Sequence, residues 1–532
     1  MRGRAFYVAL LLVAVIVGGS WLVRRGLAAP AQRGRLTTAQ GQRLLRDVLQ
    51  RVQASWVDST NTDELYRRAA IGIVQELGDP NSAYLSADRV RRLREVTTGN
   101  YRGVGLSADQ REGWIVVTAT RAGAPADRAG IQVGDRLVEI DGQSMKGWSF
   151  DEARNALRGP LGSALALSIE RNGAKIPLKL ERSDIHVSSV TRMAMLDIRV
   201  AYFAVTSFSD STALEVGNTL DSLVKAGATS LVLDLRGNPG GLLVQGVAVA
   251  DLFLDPGQKI VTTKGRMPGA NASFTDTAPQ RWPKLPIVVL VNAGTASSAE
   301  IVAGALQDHD RAVVLGRQSY GKGSAQALIK LDDGAALKLT NALWYTPAGR
   351  SIDRPHRIAR RGADDDTAAT DAIRPKYRTD NGRTVLGGGG IAPDMIIGDS
   401  VLAPAEKAWV RAVGTKVPQF REALSAYATD VTRRKLMKDA DFTVTSELRD
   451  GLFKMMESKN VIVARRTYDD AHEAIDRVLG SEIALQAFGI PGAQRRAVKH
   501  DDVISKAAAL LRGVAAPAEL LARVETAAGS PH

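Results

Sequence analysis

The chain has 532 residues, more than one hydrophobic core usually supports, so length alone argues for roughly three or four domains. Lys and Arg number 70 against 57 Asp and Glu, a net charge of +13, yet no arginine-rich or aromatic-interleaved basic tract marks a nucleic-acid reader; the excess suits an anionic membrane surface. Zero cysteines exclude disulfides, a lipid-bearing cysteine and thiolate-ligated metal.

At the N-terminus Arg2 and Arg4 precede an uncharged stretch, residues 5–23, followed by Arg24 and Arg25. The stretch is just long enough to span a bilayer. Residues 1–29 are expected to be an uncleaved signal anchor, with a cleaved signal peptide as the alternative, since Ala28-Ala29-Pro30-Ala31 offers a mediocre small-residue site. Either reading exports the remainder and gives the membrane as a partner.

Residues 37–98 carry apolar side chains at helical spacing, Leu44, Leu45, Val48, Leu49 and Val52, then Leu65, Ala69, Ile73 and Leu77, interrupted at Gly78-Asp79-Pro80. The period then changes. Over 99–184 short alternating runs at 114–118, 136–140, 164–169 and 176–180 are separated by glycine turns, and 150–157 reads as a helix. Tyr101-Arg102-Gly103-Val104-Gly105-Leu106 resembles the carboxylate-binding loop of PDZ domains. Gly123-Ala124-Pro125-Ala126, Ala129-Gly130-Ile131, Val133-Gly134-Asp135 and Ile140-Asp141-Gly142 continue the likeness in order. In such a loop Gly103, Val104, Gly105 and Leu106 would present backbone N–H groups to a peptide's terminal carboxylate, and the strand edge beyond would take the peptide by β-addition.

Over 185–400 strand-like and helical runs alternate: 230–235 then 242–252, 287–291 then 297–306, then 312–315. That order predicts a mainly parallel sheet with covering helices. Residues 353–384 are charged and poor in large apolar side chains, as at Arg360, Arg361, Asp364, Asp365 and Asp366, and are expected to form a mobile surface insertion. From 401 to 515 helical spacing returns, at Leu448, Leu452, Met455 and Met456 and at Ile504, Ala507, Leu510 and Leu511; these faces suit packing on the core or against a second copy of the chain. Residues 516–532 read as a frayed Ala-rich tail.

Ser297 and Lys322 each follow an apolar run that reads as a buried strand. A serine hydroxyl is a poor nucleophile until a base takes its proton, and lysine serves as that base only where burial keeps its amine neutral. Ser297 opens a helix, so the N–H of Ser298 is a natural donor to a developing oxyanion. The strand at 230–235 ends in Arg236-Gly237-Asn238-Pro239-Gly240-Gly241, whose glycines allow close backbone approach for a second donor. Gly321 and Gly323 flank Lys322, and Gln326, one helical turn on, could orient the amine. His309, in the polar turn Gln307-Asp308-His309-Asp310, is expected to face solvent; no histidine cluster has metal-site spacing, and no cofactor is expected.

Four strings together, 234–241, 294–306, 321–326 and 345–352, resemble the carboxyl-terminal processing peptidases, Ser/Lys (tail-specific) proteases with an inserted PDZ domain. The likeness extends from Leu44 to Asp394 and includes 77–85 and 387–394. It implies a multidomain α/β protein: helical N-terminal segment, PDZ domain, ClpP/crotonase-like protease core and helical C-terminal extension. It also implies Ser297 as nucleophile, Lys322 as general base, Gln326 as its partner, and Gly241 with Ser298 as oxyanion donors, Gly240 being close to Gly241 for that role. This chain has Gly294-Thr295-Ala296-Ser297-Ser298-Ala299-Glu300 where the family has Gly-Ser-Ala-Ser-Ala-Ser-Glu. The expected function is a serine endopeptidase of the bacterial cell envelope, anchored facing the periplasm or secreted into it, that recognises protein substrates by apolar C-termini. The alternative from the binding class is a catalytically inactive PDZ scaffold at the membrane.

Overall fold

A computed structural model describes residues 36–111, 113–196, 199–354, 374–398 and 402–528. The predicted anchor and residues 355–373 of the charged insertion lie outside them. The chain divides into two compact units, Met1–Leu77 and Gly78–His532.

In the first unit two helices, Thr38–Ser55 and Thr62–Gln75, begin at side-chain caps: Thr37 with Gln40 in a reciprocal capping box, and Asn61 accepting from the N–H groups of Asp63 and Glu64. Such caps satisfy donors that helix geometry leaves unpaired. Leu44, Leu45, Val48 and Val52 remain exposed, whereas Leu49 and Val74 are buried.

The second unit opens with a short strand, Ala83–Leu85, and a helix, Ala87–Thr98, that lead into the PDZ domain. Its sheet runs Leu106–Arg111, Trp114–Thr120, Arg136–Ile140, Ala164–Arg171, Ala174–Glu181 in spatial order, all antiparallel. The helix Phe150–Leu157 covers it, started by a Ser149–Glu152 capping box. Ile115, Val117, Leu137, Leu165, Leu167 and Ile169 alternate inward to form the core. At the PDZ loop Gly105 has φ 76°, and a Cβ there would stand 2.2 Å from that of Ala124, so only glycine fits. The domain joins the rest of the unit through the antiparallel pair Asn100–Gly103 and Ser183–His186.

The core is a six-stranded sheet of order Val190–Leu196, Val200–Val205, Ser230–Asp234, Ile287–Val291, Val313–Gly316, Met395–Ile396. The first pair is antiparallel and the rest parallel. The central strands are buried on both faces, which is why they read as continuous apolar runs. Helices Thr212–Lys225, Leu243–Asp251 and Ser298–Asp308 cover one face. The other is covered by C-terminal helices, with Ile504, Ala507, Leu511, Leu520, Leu521 and Val524 against Tyr202, Val232, Val288 and Leu290. The apolar stripe at 504–511 is therefore core packing, and the expected frayed tail is an ordered helix, Pro517–Ala528, seated on the sheet. Leu448, Leu452 and Met456 pack instead in a separate helical cluster with Tyr427, Tyr468 and Ile475.

A second, antiparallel sheet carries Ala83–Leu85, Ala336–Tyr345, Lys259–Gly265 and Ala272–Thr275 in that order, and Ser324–Lys330 also pairs with the long strand Ala336–Tyr345. The described end of the expected insertion is built into the fold. Lys376–Arg378 and Thr384–Leu386 form a hairpin, and Arg383 reaches Asp310 and, at 2.6 Å, Asp394.

Candidate active site

The strand Ile287–Val291 ends at Asn292, whose Oδ1 accepts from the N–H groups of Gly237 (2.9 Å) and Gly294 (3.0 Å). Thr295 donates its hydroxyl to the Leu235 carbonyl at 2.8 Å, and the Ala296 N–H bonds the Asn238 carbonyl. The two strand-end loops that the sequence singled out are thus stitched together. Ser297 follows with φ 56°, a conformation rare outside glycine, and heads the buried helix Ser298–Asp308. Strain of this kind at a strand-to-helix turn is characteristic of an exposed nucleophile.

Gly240 lies against the serine: a Cβ there would approach the Ser297 Cβ to 2.7 Å and the Ala296 carbonyl oxygen to 2.8 Å. Its own N–H donates to Asn238 Oδ1 at 2.8 Å. Gly241 is pinned by Phe208, whose carbonyl would be 2.1 Å from an added Cβ, and its carbonyl accepts from Ser298 Oγ at 3.1 Å. Among the described residues the N–H groups of Gly241 and Ser298 meet no acceptor, so the two candidate glycines are separated: the Gly240 donor is already used and the Gly241 donor is not.

Lys322 sits in the loop between Val313–Gly316 and Ser324–Lys330. The loop is tied back by Arg317 N–H to the Val291 carbonyl and Tyr320 N–H to the Thr295 carbonyl. Neither flanking glycine admits a Cβ, which would stand 2.9 Å from Gly390 N at position 321 and 2.7 Å from Asp353 N at position 323. Burial pushes the Lys322 ammonium below its ordinary value and the Lys338 charge pushes the same way, while Glu300 and Asp79 oppose.

The element that joins these loops escaped the sequence reading, which used Glu300 only to align a motif. The Glu300 carboxyl is fully buried and takes four donors. One oxygen accepts from the Ser319 hydroxyl and Gly321 N–H, the other from Ser297 N–H at 2.8 Å and Lys322 N–H at 2.9 Å. Burial pushes this carboxyl up and the four donors push it down, burial prevailing. A Ser-x-x-Glu at the start of a helix is the sequence form of a capping box, and that was the available signal.

Two expectations need correction. Gln326 does not lie one helical turn beyond Lys322; it is on the strand Ser324–Lys330, and its amide donates to Ser324 Oγ (3.0 Å) and Thr340 Oγ1 (3.3 Å). Ser324 and Gln326 share one face of that strand, and Lys322 precedes it in the loop. His309 is not solvent-facing either: its side chain is 8% exposed, with one ring nitrogen 2.7 Å from Asp380 and the other 2.7 Å from the Lys259 carbonyl. The polar run around it is a buried ionic network in which Arg350 meets Asp308 at 2.6 Å and Gln307 Oε1 at 2.7 Å.

In the PDZ domain Gly103, Val104, Gly105 and Leu106 do line one cleft, a cavity of about 230 Å³ closed by Ile115, Phe150, Ala153 and Leu157, with Arg154 and Arg158 also lining it. Among the described residues strand Leu106–Arg111 pairs with a neighbour on one side only, leaving its other edge beside the helix Phe150–Leu157.

Residues 199–368 match the model of peptidase family S41, and residues 116–171 match a PDZ domain. The chain is 39% identical over 311 residues to a carboxy-terminal-processing protease of Bartonella bacilliformis, covering 58% of this chain and 71% of that one. It is 34% identical over 311 residues to the carboxy-terminal processing protease CtpA of Bacillus subtilis, covering 58% and 66%. Among solved structures the photosystem II D1 C-terminal processing protease aligns with 28% identity over 59% of this chain and 90% of that one, at a TM-score of 0.34. A PDZ domain inserted ahead of an S41 core, with identity of this extent, makes the chain a member of the carboxy-terminal-processing serine proteases of peptidase family S41.

Proposed function

We propose that Ser297 is the nucleophile and Lys322 its general base in an endopeptidase that acts on proteins selected by their C-termini. The observation that carries this reading is the shared Glu300 oxygen, which holds the backbones of Ser297 and Lys322 within two hydrogen-bond lengths of each other. Burial supplies the second requirement, because a lysine kept neutral can accept a proton.

The Lys322 amine takes the Ser297 hydroxyl proton as Oγ bonds to the scissile carbonyl carbon. The carbonyl oxygen becomes an oxyanion, facing the N–H groups of Gly241 and Ser298, which have no other acceptor among the described residues. Collapse expels the leaving amine, which takes the proton from Lys322, and leaves an acyl-enzyme. Water then attacks that ester, giving its proton to the same lysine, and the second collapse returns Ser297. Gln326 supports the strand that follows the Lys322 loop through Ser324 and Thr340. A peptide C-terminus would add to the free edge of Leu106–Arg111 and place its apolar terminal side chain in the cleft lined by Val104, Ile115 and Leu157. An envelope location rests on residues 5–23, which lie outside the described residues; among those described, no helix is long and apolar enough to cross a membrane.

The test is cleavage of an unstructured reporter ending in apolar residues by the full chain and by Ser297→Ala and Lys322→Ala. Loss of cleavage in both variants, with unchanged thermal unfolding, is expected. Retained cleavage in either would falsify the dyad.

A further inference from the structure

A second strand edge plays no part in the chemistry above. Val190–Leu196 is the outermost strand of the six-stranded sheet and, among the described residues, pairs only with Val200–Val205. Beside it is a cavity of about 750 Å³, lined by the consecutive strand residues 192–196. Side chains of a strand alternate between its two faces, so a wall that takes every residue in turn is the strand's edge, where backbone N–H and C=O groups stand. The facing walls are helical. The helix His472–Lys499 breaks at Gly489 (φ 66°), and beyond the break Pro491, Gln494, Arg495, Val498 and Lys499 recur at the spacing of one helix face. Ile504, Ser505, Ala508 and Arg512 do the same along Asp502–Leu511 and one residue past it. Strand edge and helix face thus enclose a trough, the arrangement that in the PDZ domain frames the cleft beside Leu106–Arg111.

The trough carries charge of one sign. Arg192, Arg495, Lys499 and Arg512 line it, and no Asp or Glu does. Lys499 is engaged by Asp441 at 3.2 Å, whereas the side chains of Arg192 and Arg495 meet no hydrogen-bond or ion-pair partner among the described residues. Arg192 stands in a bulge, where the register shifts between Thr191 and Ala194, with φ 53°, a conformation that strains any residue but glycine. Met193 on the strand and Val498 and Ile504 opposite add apolar surface. We propose that this trough binds an extended acidic segment of a partner protein, added as a further strand along the outer edge of Val190–Leu196, its carboxylates meeting Arg192 and Arg495. The backbone edge selects a peptide over a compact anion, and the cations select an acidic one. The site is separate from the PDZ cleft and does not rest on the Ser/Lys reading. Charges and bulges also keep exposed edges from pairing at random. An edge that is only protected binds nothing, and that difference is measurable.

The experiment is fluorescence anisotropy with a short labelled peptide of alternating glutamate and valine, amidated at its C-terminus so that it offers the PDZ loop no carboxylate. The protein is the full chain carrying Ser297→Ala, which prevents cleavage of the probe. Saturable binding is expected, weakened about tenfold by Arg495→Glu and by Arg192→Gly. Methylation of alternate backbone nitrogens of the peptide, which leaves its charge intact, should abolish binding. Glycine suits φ 53°, so Arg192→Gly removes the charge without endangering the fold. No binding at low salt, where a charge-driven contact is strongest, overturns the proposal and leaves the edge as a protected one. Binding that survives N-methylation, or that survives Arg192→Gly and Arg495→Glu together, overturns strand addition at this edge. Capture by phosphatidylglycerol vesicles that the two substitutions abolish, with no binding of the peptide, overturns it in favour of an anionic lipid surface.

Discussion

Ser297 and Lys322 donate their backbone N–H groups to the same oxygen of Glu300, a carboxyl with no exposure to solvent. The Ser297 loop and the Lys322 loop are thereby one rigid piece, although 25 positions separate the two residues in the chain. Rigid placement is what the proposed Ser/Lys chemistry needs, since a lysine base has no second nitrogen through which a partner could orient it.

Glu300→Gln tests this directly. Whichever way the amide turns, its NH₂ faces donors that the carboxylate accepted, so at least one buried N–H loses its partner. A displacement of the order of 1 Å between reacting groups costs up to about a hundredfold in rate. We expect kcat to fall by tenfold to a hundredfold with KM little changed, and the unfolding midpoint to drop, each lost buried partner costing about 1–3 kcal/mol. Steady-state kinetics with a PDZ-recognised peptide and thermal unfolding check both parts.

Gly240→Ala separates close approach from donation. The new Cβ would press on the Ser297 Cβ and the Ala296 carbonyl, neither the far end of a flexible chain, at a position with φ 92°. The Gly240 N–H to Asn238 can persist, so the expected defect is displacement of the nucleophile and of the adjacent Ser298 N–H. Loss of one oxyanion donor typically costs about 100- to 1,000-fold in kcat. A variant that folds, binds peptide and acylates at the wild-type rate would remove Gly240 from the site.

Arg350 holds the far end of the helix Ser298–Asp308. It is fully buried, as is its partner Asp308, and it also reaches Gln307 and the Leu386 carbonyl. Removing one member of such a pair strands the other charge in the interior, a cost of about 3–5 kcal/mol. Arg350→Ala is expected to lower the unfolding free energy by that amount and reduce soluble yield, whereas a double change of Arg350 and Asp308 to apolar residues should recover part of the loss. Denaturant unfolding of the three chains measures the difference.

How far the sequence spoke follows from how local each signal was. The strands Arg136–Ile140 and Ile287–Val291 and the helix Phe150–Leu157 coincide with the sequence reading because apolar periodicity and bounding glycines specify them within a few residues. The strand ends that carry Ser297, Lys322 and the glycines beside them were legible for the same reason. Gln326 was misplaced because spacing by four fits a helical turn and one face of a strand alike, and pairing with Ala336–Tyr345 decides between them. The run Gln307-Asp308-His309-Asp310 looked solvated because the cations that neutralise it, Arg350 and Arg383, lie far along the chain. Asn81 and Ser82 are the extreme case: they reach Ser324 and Thr340 only through a strand pairing that no local pattern announces.

Asp276 offers a stability test with a defined sign. Its carboxyl is 3% exposed, and burial, assisted by the neighbouring Asp251 and Asp255 charges and opposed by the Ala278 N–H, pushes it from 3.8 up to about 6. A carboxyl raised in the folded state binds its proton more tightly there than in the unfolded chain. Stability therefore falls as pH climbs from the unfolded to the folded value and stays reduced above it, by about 2–3 kcal/mol for a shift of this size. Asp276→Asn keeps an acceptor for the Ala278 N–H, 2.8 Å away, and gains a donor toward Asp251, while carrying no charge at any pH. The variant should match wild type near about pH 4, gain progressively up to about pH 6, and hold a constant advantage in unfolding midpoint above that. An equal midpoint for both chains at about pH 8 would show that Asp276 titrates as an ordinary carboxyl and that its burial carries no electrostatic cost.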